Sequence, residues 1–247
     1  MTDYDHRTKG SKPIVYFAER WYYKKGAMER MHYIMAPVMK YNKTARNILE
    51  IGCGMGDVLV SLPKRYSISG LDYEEDFIKV ARKRVPNGKF YVQSMHNFKI
   101  DERFDVIFSA YGAVNFLEDF SQWRSMFKAV SKHLNNRGLF VFDVFTSRML
   151  TATRRWLDEH RRSSLSGREF SMGYYFDRGL VEGNVLTWDS RIFERLPNGL
   201  YKLNRCRFIE RVYPVARMKS ALSKHFDIIE TTLREKGNVI VFVCRRN

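Results

Sequence analysis

The sequence predicts an α/β protein: a doubly wound, mostly parallel sheet of seven strands with an inserted antiparallel β meander. Three observations predict it. Between residues 48 and 144, short apolar runs alternate with amphipathic stretches, the pattern of a parallel sheet covered by helices on both faces. The first run, ILEIGCGMGD from Ile48 to Asp57, passes into three glycines at every second position, which marks a backbone that turns sharply and admits a close neighbour. Between residues 168 and 213 the pattern changes to alternation with period two, as in half-buried antiparallel strands.

The elements follow in order. Residues 13–41 read as helical, with Pro37 a kink. Ile48–Ile51 is a buried strand and Asp57–Leu62 opens a helix. Tyr66–Leu71, Lys89–Val92 and Phe104–Ser109 (FDVIFS) are the next strands, with a helix over Glu74–Arg84. A helix over Phe120–Leu134 leads through the turn residues Asn135, Asn136 and Gly138 to the strand Leu139–Val144. A helix near 147–161 precedes the meander. Arg168–Asp177 places Phe170, Met172, Tyr174 and Phe176 on one face, and Asn184–Leu196 does the same with Leu186, Trp188, Ile192 and Leu196. The turn Pro197-Asn198-Gly199 joins the latter to Leu200–Tyr213. A helix over Ala216–Lys224 and strands Phe226–Thr232 and Asn238–Cys244 complete the sheet. The implied organisation is an N-terminal helical cap (1–46), an α/β core (47–150 and 214–247) and an inserted lid (151–213).

Composition narrows the class. At 247 residues with 45% hydrophobic and 28% charged side chains, the chain can bury a sizeable core as one domain with an insertion. The start, MTDYDHRTKGSK, has no apolar signal core, and apolar runs such as Val239 to Cys244 are far too short to span a bilayer. Cys53, Cys206 and Cys244 are odd in number and far apart, and the six histidines show no metal-ligand spacing. Reduced thiols, a cytoplasmic setting and no metal site are therefore expected. The net charge of +16 is compatible with nucleic acid, an anionic membrane or an anionic substrate, but only +2 of it falls on residues 47–150.

The glycine loop points to a nucleoside ligand. A glycine-rich strand-to-helix turn is where doubly wound sheets bind nucleotides. Gly52 and Gly54 fit the dinucleotide pattern GxGxxG, but the third glycine, Gly56, comes one place early, and no phosphate-loop lysine follows. Asp72, twenty residues after Gly52, ends the second strand, where a carboxylate can accept both hydroxyls of a ribose. The pocket thus suits an adenosine-like ligand without a diphosphate.

At these residues the chain resembles the class I S-adenosylmethionine-dependent methyltransferases. ILEIGCGMGD is similar to their first motif and SGLDYEEDFIKVARKR (Ser69–Arg84) to their second. FDVIFSAYGAVNFL (Phe104–Leu117) resembles their fourth strand and its loop, and LNNRGLFVFDVF (Leu134–Phe145) their fifth strand. The resemblance covers about residues 45–150 and implies the Rossmann-like methyltransferase fold, with S-adenosyl-L-methionine as cofactor and S-adenosyl-L-homocysteine as product. It implies that Gly52, Gly54 and Gly56 border the cofactor's methionine portion, that Glu50 braces their loop, and that Asp72 holds the ribose. It also implies that the carbonyls of Gly52 and Ser109 face the cofactor's amino group and that Tyr73 lies against the adenine. Where the family often carries an adenine-binding Asp, the sequence reads YVQSMHNF, so Ser94 and Met95, or Asn97, stand in that place.

Methyl transfer from a sulfonium needs the nucleophile held in line with the methyl carbon, and a base only where the nucleophile starts protonated. Tyr111, Asn115, Phe145 and Thr146 are the candidates at the strand ends, and Arg211 and Tyr213 (ERVYP) where the meander returns. Tyr175 and Trp188 are candidate aromatic walls, and Tyr22, within FAERWYY (Phe17–Tyr23), a candidate closing group. The expected acceptor is a small molecule carrying an N or O nucleophile. An RNA or protein acceptor is the alternative, favoured by the basic surface and by Arg154, Arg155, Arg161 and Arg162. Against it stands SAYG in place of the [DN]PP[YF] of base-amino methyltransferases. Cofactor binding without catalysis has no feature in its favour.

Overall fold

The structure, a computed structural model, describes residues 2–5, 27–161, 168–170 and 173–247. Its core is a seven-stranded sheet built from β2 (Asn47–Ile51), β3 (Ser67–Asp72), β4 (Lys89–Val92), β5 (Phe104–Ser109), β6 (Leu134–Phe145), β11 (Phe226–Arg234) and β12 (Val239–Arg246). The spatial order is β11-β12-β6-β5-β2-β3-β4. Strands β6, β5, β2, β3 and β4 run parallel, and β12 is inserted antiparallel to β6 and β11. The chain starts in the middle at β2, moves outward to β4, then returns to place β5 on the other side of β2. That reversal opens a crevice at the carboxyl ends of β2 and β5, the position at which such sheets bind ligands.

Both faces are covered. In β6, Phe140, Phe142 and Val144 join one core with Trp123 and Phe127 of α3 (Phe120–His133) and Met218 and Leu222 of α5 (Val215–Leu222). Leu139 and Val141 point the other way, into a core with Ile34 and Val38 of α1 (Ala27–Tyr41) and Ile78 and Ala81 of α2 (Glu75–Arg84). The near-continuous apolar reading of β6 follows from burial on both sides.

The second sheet has the order β1-β10-β9-β8-β7, with β1 (Thr2–Asp5) at one edge and β7 (Arg168–Phe170), β8 (Gly173–Glu182), β9 (Val185–Arg195) and β10 (Tyr201–Arg211) forming the antiparallel meander. The helix α4 (Ser147–Arg161) packs on it: a Cβ at Gly179 would lie 2.8 Å from Leu157 Cδ2 and 2.9 Å from the Trp188 ring. Among the described residues no helix is long and apolar enough to cross a membrane.

Three expectations are corrected. Thr2–Asp5 forms β1, parallel to β10, so the N-terminal region is not wholly helical. The segment TDYD carries no strand pattern, and the open backbone edge of β10 recruits it. After Asp57 the chain makes only a 3-10 turn, Leu59–Ser61, because Leu62 precedes Pro63 and is extended (φ −70°, ψ 143°). The turn expected at 135–138 is a bulge inside β6: the register shifts between Phe104 and Val106, and Arg137 takes φ 59°. Tyr22 and the rest of Phe17–Tyr23 lie outside the described residues, as do residues 13–26 of the expected helix, Met172 and Arg162.

Candidate functional site

The glycine loop leaves β2 in the left-handed region, with Gly52, Gly54 and Gly56 at φ 69°, 51° and 75°. A Cβ at Gly52 would lie 2.6 Å from Met95 Cε and 2.9 Å from Ala113 Cβ. The loops after β4 and β5 thus close over Gly52, and a side chain there would fill the gap between them.

Carboxylates hold this loop. Asp72 Oδ2 accepts from Gly54 N at 2.8 Å and Oδ1 from Glu74 N at 3.0 Å. Asp57 pairs with Arg84 at 2.6 Å, and Arg84 also donates to the Met55 carbonyl at 3.2 Å. Glu50 is buried, and its Oε2 has no hydrogen-bond partner among the described residues. Burial, then the charges of Asp57, Asp72 and Asp143, push the Glu50 carboxyl well above the usual carboxylate range. Burial raises Asp72 to about 6, against the pull of its amide donors. Four acidic side chains thus share one electrostatic environment at the crevice.

Asp143, in β6, is a member that the sequence reading missed. One carboxylate accepts from Gly112 N at 2.7 Å, from Tyr111 N at 3.2 Å and from the hydroxyl of Tyr33 on α1. Tyr111 and Gly112 are both left-handed (φ 64° and 63°), so Asp143 fixes the unusual loop that follows β5. An acid within the apolar run LFVFDVF was the available signal. Nothing in the sequence pointed to Tyr33.

The other expected residues divide. Ser109 ends β5 fully buried, with its Oγ lacking a partner among the described residues. Tyr73 adjoins Asp72, and Ser94 Oγ lies 2.7 Å from His96 Nδ1 in the loop after β4. Asn115 is scaffold rather than a free polar group. Its Nδ2 donates to the Arg211 carbonyl at 2.7 Å and its Oδ1 accepts from Phe145 N at 3.1 Å, which ties β6 to β10. Thr146 Oγ1 donates to the Gly237 carbonyl at 2.6 Å and accepts from Arg148 N at 3.2 Å, capping α4. Tyr213 packs into the core, its ring centroid 4.9 Å from Phe120 and 5.4 Å from Trp123. Arg211 sits beside it with Nη1 buried and unpartnered among the described residues. Phe145 and Trp188 pack on the cluster of Leu150, Leu186 and Val212 that joins the second sheet to the first. Tyr175 lies on β8, opposite Ile192.

Glu50 Oε2 and Ser109 Oγ are buried without partners among the described residues, and the Gly52 cradle excludes side chains. The fold is an α/β domain of the doubly wound type. Residues 48–138 match the family profile described as a methyltransferase domain. The chain is 26% identical over 100 residues to a dTDP-3-amino-3,4,6-trideoxy-alpha-D-glucopyranose N,N-dimethyltransferase of Streptomyces venezuelae, covering 40% of this chain and 42% of that protein. It is 29% identical over 125 residues to a malonyl-(acyl-carrier protein) O-methyltransferase of Bacillus cereus, covering 47% and 45%. It thus aligns with less than half the length of either. An S-adenosylmethionine-dependent methyltransferase from Clostridium acetobutylicum superposes with a TM-score of 0.78 over 96% of this chain and 98% of that one, at 17% identity. Residues 48–138 thus resemble a methyltransferase domain, and the fold of the chain is that of the S-adenosylmethionine-dependent methyltransferase on which it superposes.

Proposed function

We propose that the protein is an S-adenosylmethionine-dependent methyltransferase that acts on an N or O nucleophile of a small molecule. The observation that carries this is the loop Gly52–Asp57, cradled by left-handed glycines and ringed by Glu50, Asp57, Asp72 and Asp143. When bound, S-adenosylmethionine supplies an activated methyl group on a sulfonium. The carbonyls of Gly52 and Ser109 face the cofactor's ammonium group. Asp72 receives the ribose hydroxyls on the lone pairs left by Gly54 and Glu74, Glu50 braces the loop, and Tyr73, Ser94 and Met95 border the adenine. Residues 47–150 and 214–247 act as the cofactor-binding core. The region 151–213 acts as a lid over the acceptor, with Phe145, Trp188 and Arg211 on its inner side and Tyr111 beneath. The N-terminal region serves as a cap.

Ribose hydroxyls donate best to an ionised carboxylate. Cofactor affinity is therefore expected to tighten as pH rises through about 6, where Asp72 ionises. Calorimetry at pH 5 and at pH 7.5 measures this, and equal affinities would remove Asp72 from the ribose site.

The basic charge of +16 keeps an RNA acceptor as the second reading. On α4, however, Arg155 pairs with Glu159 at 2.9 Å, and the shallow groove it lines with Thr151 and Arg154 also contains Asp158. Acidic partners of this kind weaken the case for a phosphate-binding face. Transfer of labelled methyl groups to small-molecule pools and to total tRNA separates the readings. Label in the small-molecule fraction is expected. Label in tRNA, reduced by Arg154→Ala and steeply weakened by salt, would reverse the order.

A further inference from the structure

One buried acid on the lid has no place in the site so far. Glu210 lies near the end of β10, paired across the sheet with Leu186, and is 7% exposed. Its carboxyl accepts a hydrogen bond from the Trp188 indole. Trp188 belongs, with Phe145, to the cluster of Leu150, Leu186 and Val212. The Phe145 ring in turn lies 3.1 Å from where a Cβ of Gly112 would stand, and Gly112 adjoins Ala113 over Gly52. A continuous line of packed residues therefore leads from the glycine loop to Glu210. The same faces of β9 and β10 bury Ser190, Asn204 and Cys206. Glu210, Ser190 and Asn204 are thus buried polar side chains on one face of the meander.

We propose that Glu210 and Trp188 form an acceptor subsite for an amine: the carboxylate binds the ammonium nitrogen and takes its proton, while the Trp188 ring flanks the cation. This rests on the methyltransferase reading and deepens it by choosing nitrogen over oxygen as the nucleophile. A proton passes from R–NH3+ to the Glu210 carboxylate. The freed nitrogen lone pair forms the bond to the sulfonium methyl carbon, the carbon–sulfur bond breaks, and its electron pair stays on sulfur. The methylated ammonium departs and Glu210 returns its proton to solvent. The positions that share this face with Glu210 by register include Leu186, Trp188 and Ser190 of β9, Phe208, Cys206 and Asn204 of β10, Val181, Gly179, Asp177 and Tyr175 of β8 and Tyr4 of β1, with Val212 and with Leu150 of α4 packed beside them. Asp177, opposite Ser190, is the acidic residue among these positions, two same-face cross-strand pairs along the sheet from Leu186. Burial raises the carboxyl to about 7 and the Trp188 hydrogen bond lowers it, so it can exchange a proton at neutral pH.

The test compares wild type with Glu210→Gln, which keeps the volume and removes the charge. Both receive labelled S-adenosylmethionine and a small-molecule cell extract, either untreated or with its amines blocked by N-acetylation. Labelling of the untreated extract only is expected, with a loss of roughly 100-fold in Glu210→Gln. Cofactor affinity by calorimetry should be unchanged. Independently of turnover, tryptophan fluorescence of the wild type should titrate with a midpoint near 7, and that transition should vanish in Glu210→Gln. Absence of cofactor binding in the wild type would overturn the methyltransferase reading itself. Bound cofactor with equal labelling of the blocked extract, with no labelling at all, or with full activity of Glu210→Gln would overturn the amine subsite alone.

Discussion

Asp143→Ala is expected to lower the melting temperature by about 5–20 °C and to abolish cofactor binding. Asp143 is 1% exposed and accepts from the backbone of Tyr111 and Gly112 and from the Tyr33 hydroxyl. Each buried backbone donor left without an acceptor costs about 1–3 kcal/mol. A chain of this size loses roughly 2–4 °C per kcal/mol. The two residues released are both in the left-handed region, so the loop relaxes toward ordinary backbone geometry once the carboxylate is gone. That loop places Ala113 against Gly52, so the cofactor slot changes with it. Tyr33→Phe removes a single donor and should cost about 1 kcal/mol. Thermal melts and calorimetry on both variants check the order. Wild-type stability and affinity in Asp143→Ala would mean that the loop keeps its shape without the carboxylate.

Gly52→Ala is the second large effect. At φ 69° an added Cβ costs about 1–2 kcal/mol from conformation alone. It would also stand 2.6 Å from Met95 Cε and 2.9 Å from Ala113 Cβ. The flexible end of Met95 can move, but the Ala113 Cβ has only its backbone to move with, so the loops must separate. Gly199→Ala is the control: its φ is 81°, but nothing lies within 4 Å of the added Cβ. Gly199→Ala should lose only the conformational part and bind cofactor normally. Gly52→Ala should be less stable than Gly199→Ala and bind cofactor at least about tenfold more weakly, a deficit of about 1.4 kcal/mol. Equal behaviour of the two variants in melting and binding would show that the close approach over Gly52 has no consequence.

The sheet was legible because its signals are local. Residues that must be apolar on both faces form unbroken runs, as in FDVIFS, and the first turn needs glycine at three left-handed positions. The meander was legible for the same reason, since the buried Leu186 and Ser190 are flanked by more exposed residues and Gly199 makes its turn. What sequence could not show was pairing over distance. Thr2–Asp5 pairs with β10 in parallel register, and TDYD carries no strand pattern that would announce it. Asn115 reads as a polar group at a strand end, and only the fold shows that Phe145 and Arg211 take both ends of its amide. Tyr213 looked like a site aromatic because its packing against Phe120 and Trp123 bridges residues far apart in the chain. Asp143 and Glu210 did leave a signal, an acid at an inward position of a buried strand.

The most direct test of the central proposal is calorimetric titration of S-adenosyl-L-homocysteine and of NAD+ into wild type and Asp72→Ala. One-to-one binding of the homocysteine nucleoside by the wild type is expected, with no heat from NAD+. Asp72→Ala should weaken binding by at least about tenfold, since it loses charge-assisted hydrogen bonds worth roughly 1.5–3 kcal/mol each. Binding of NAD+ in preference, or equal affinity of wild type and Asp72→Ala for the nucleoside, would contradict a cofactor site between the glycine loop and Asp72.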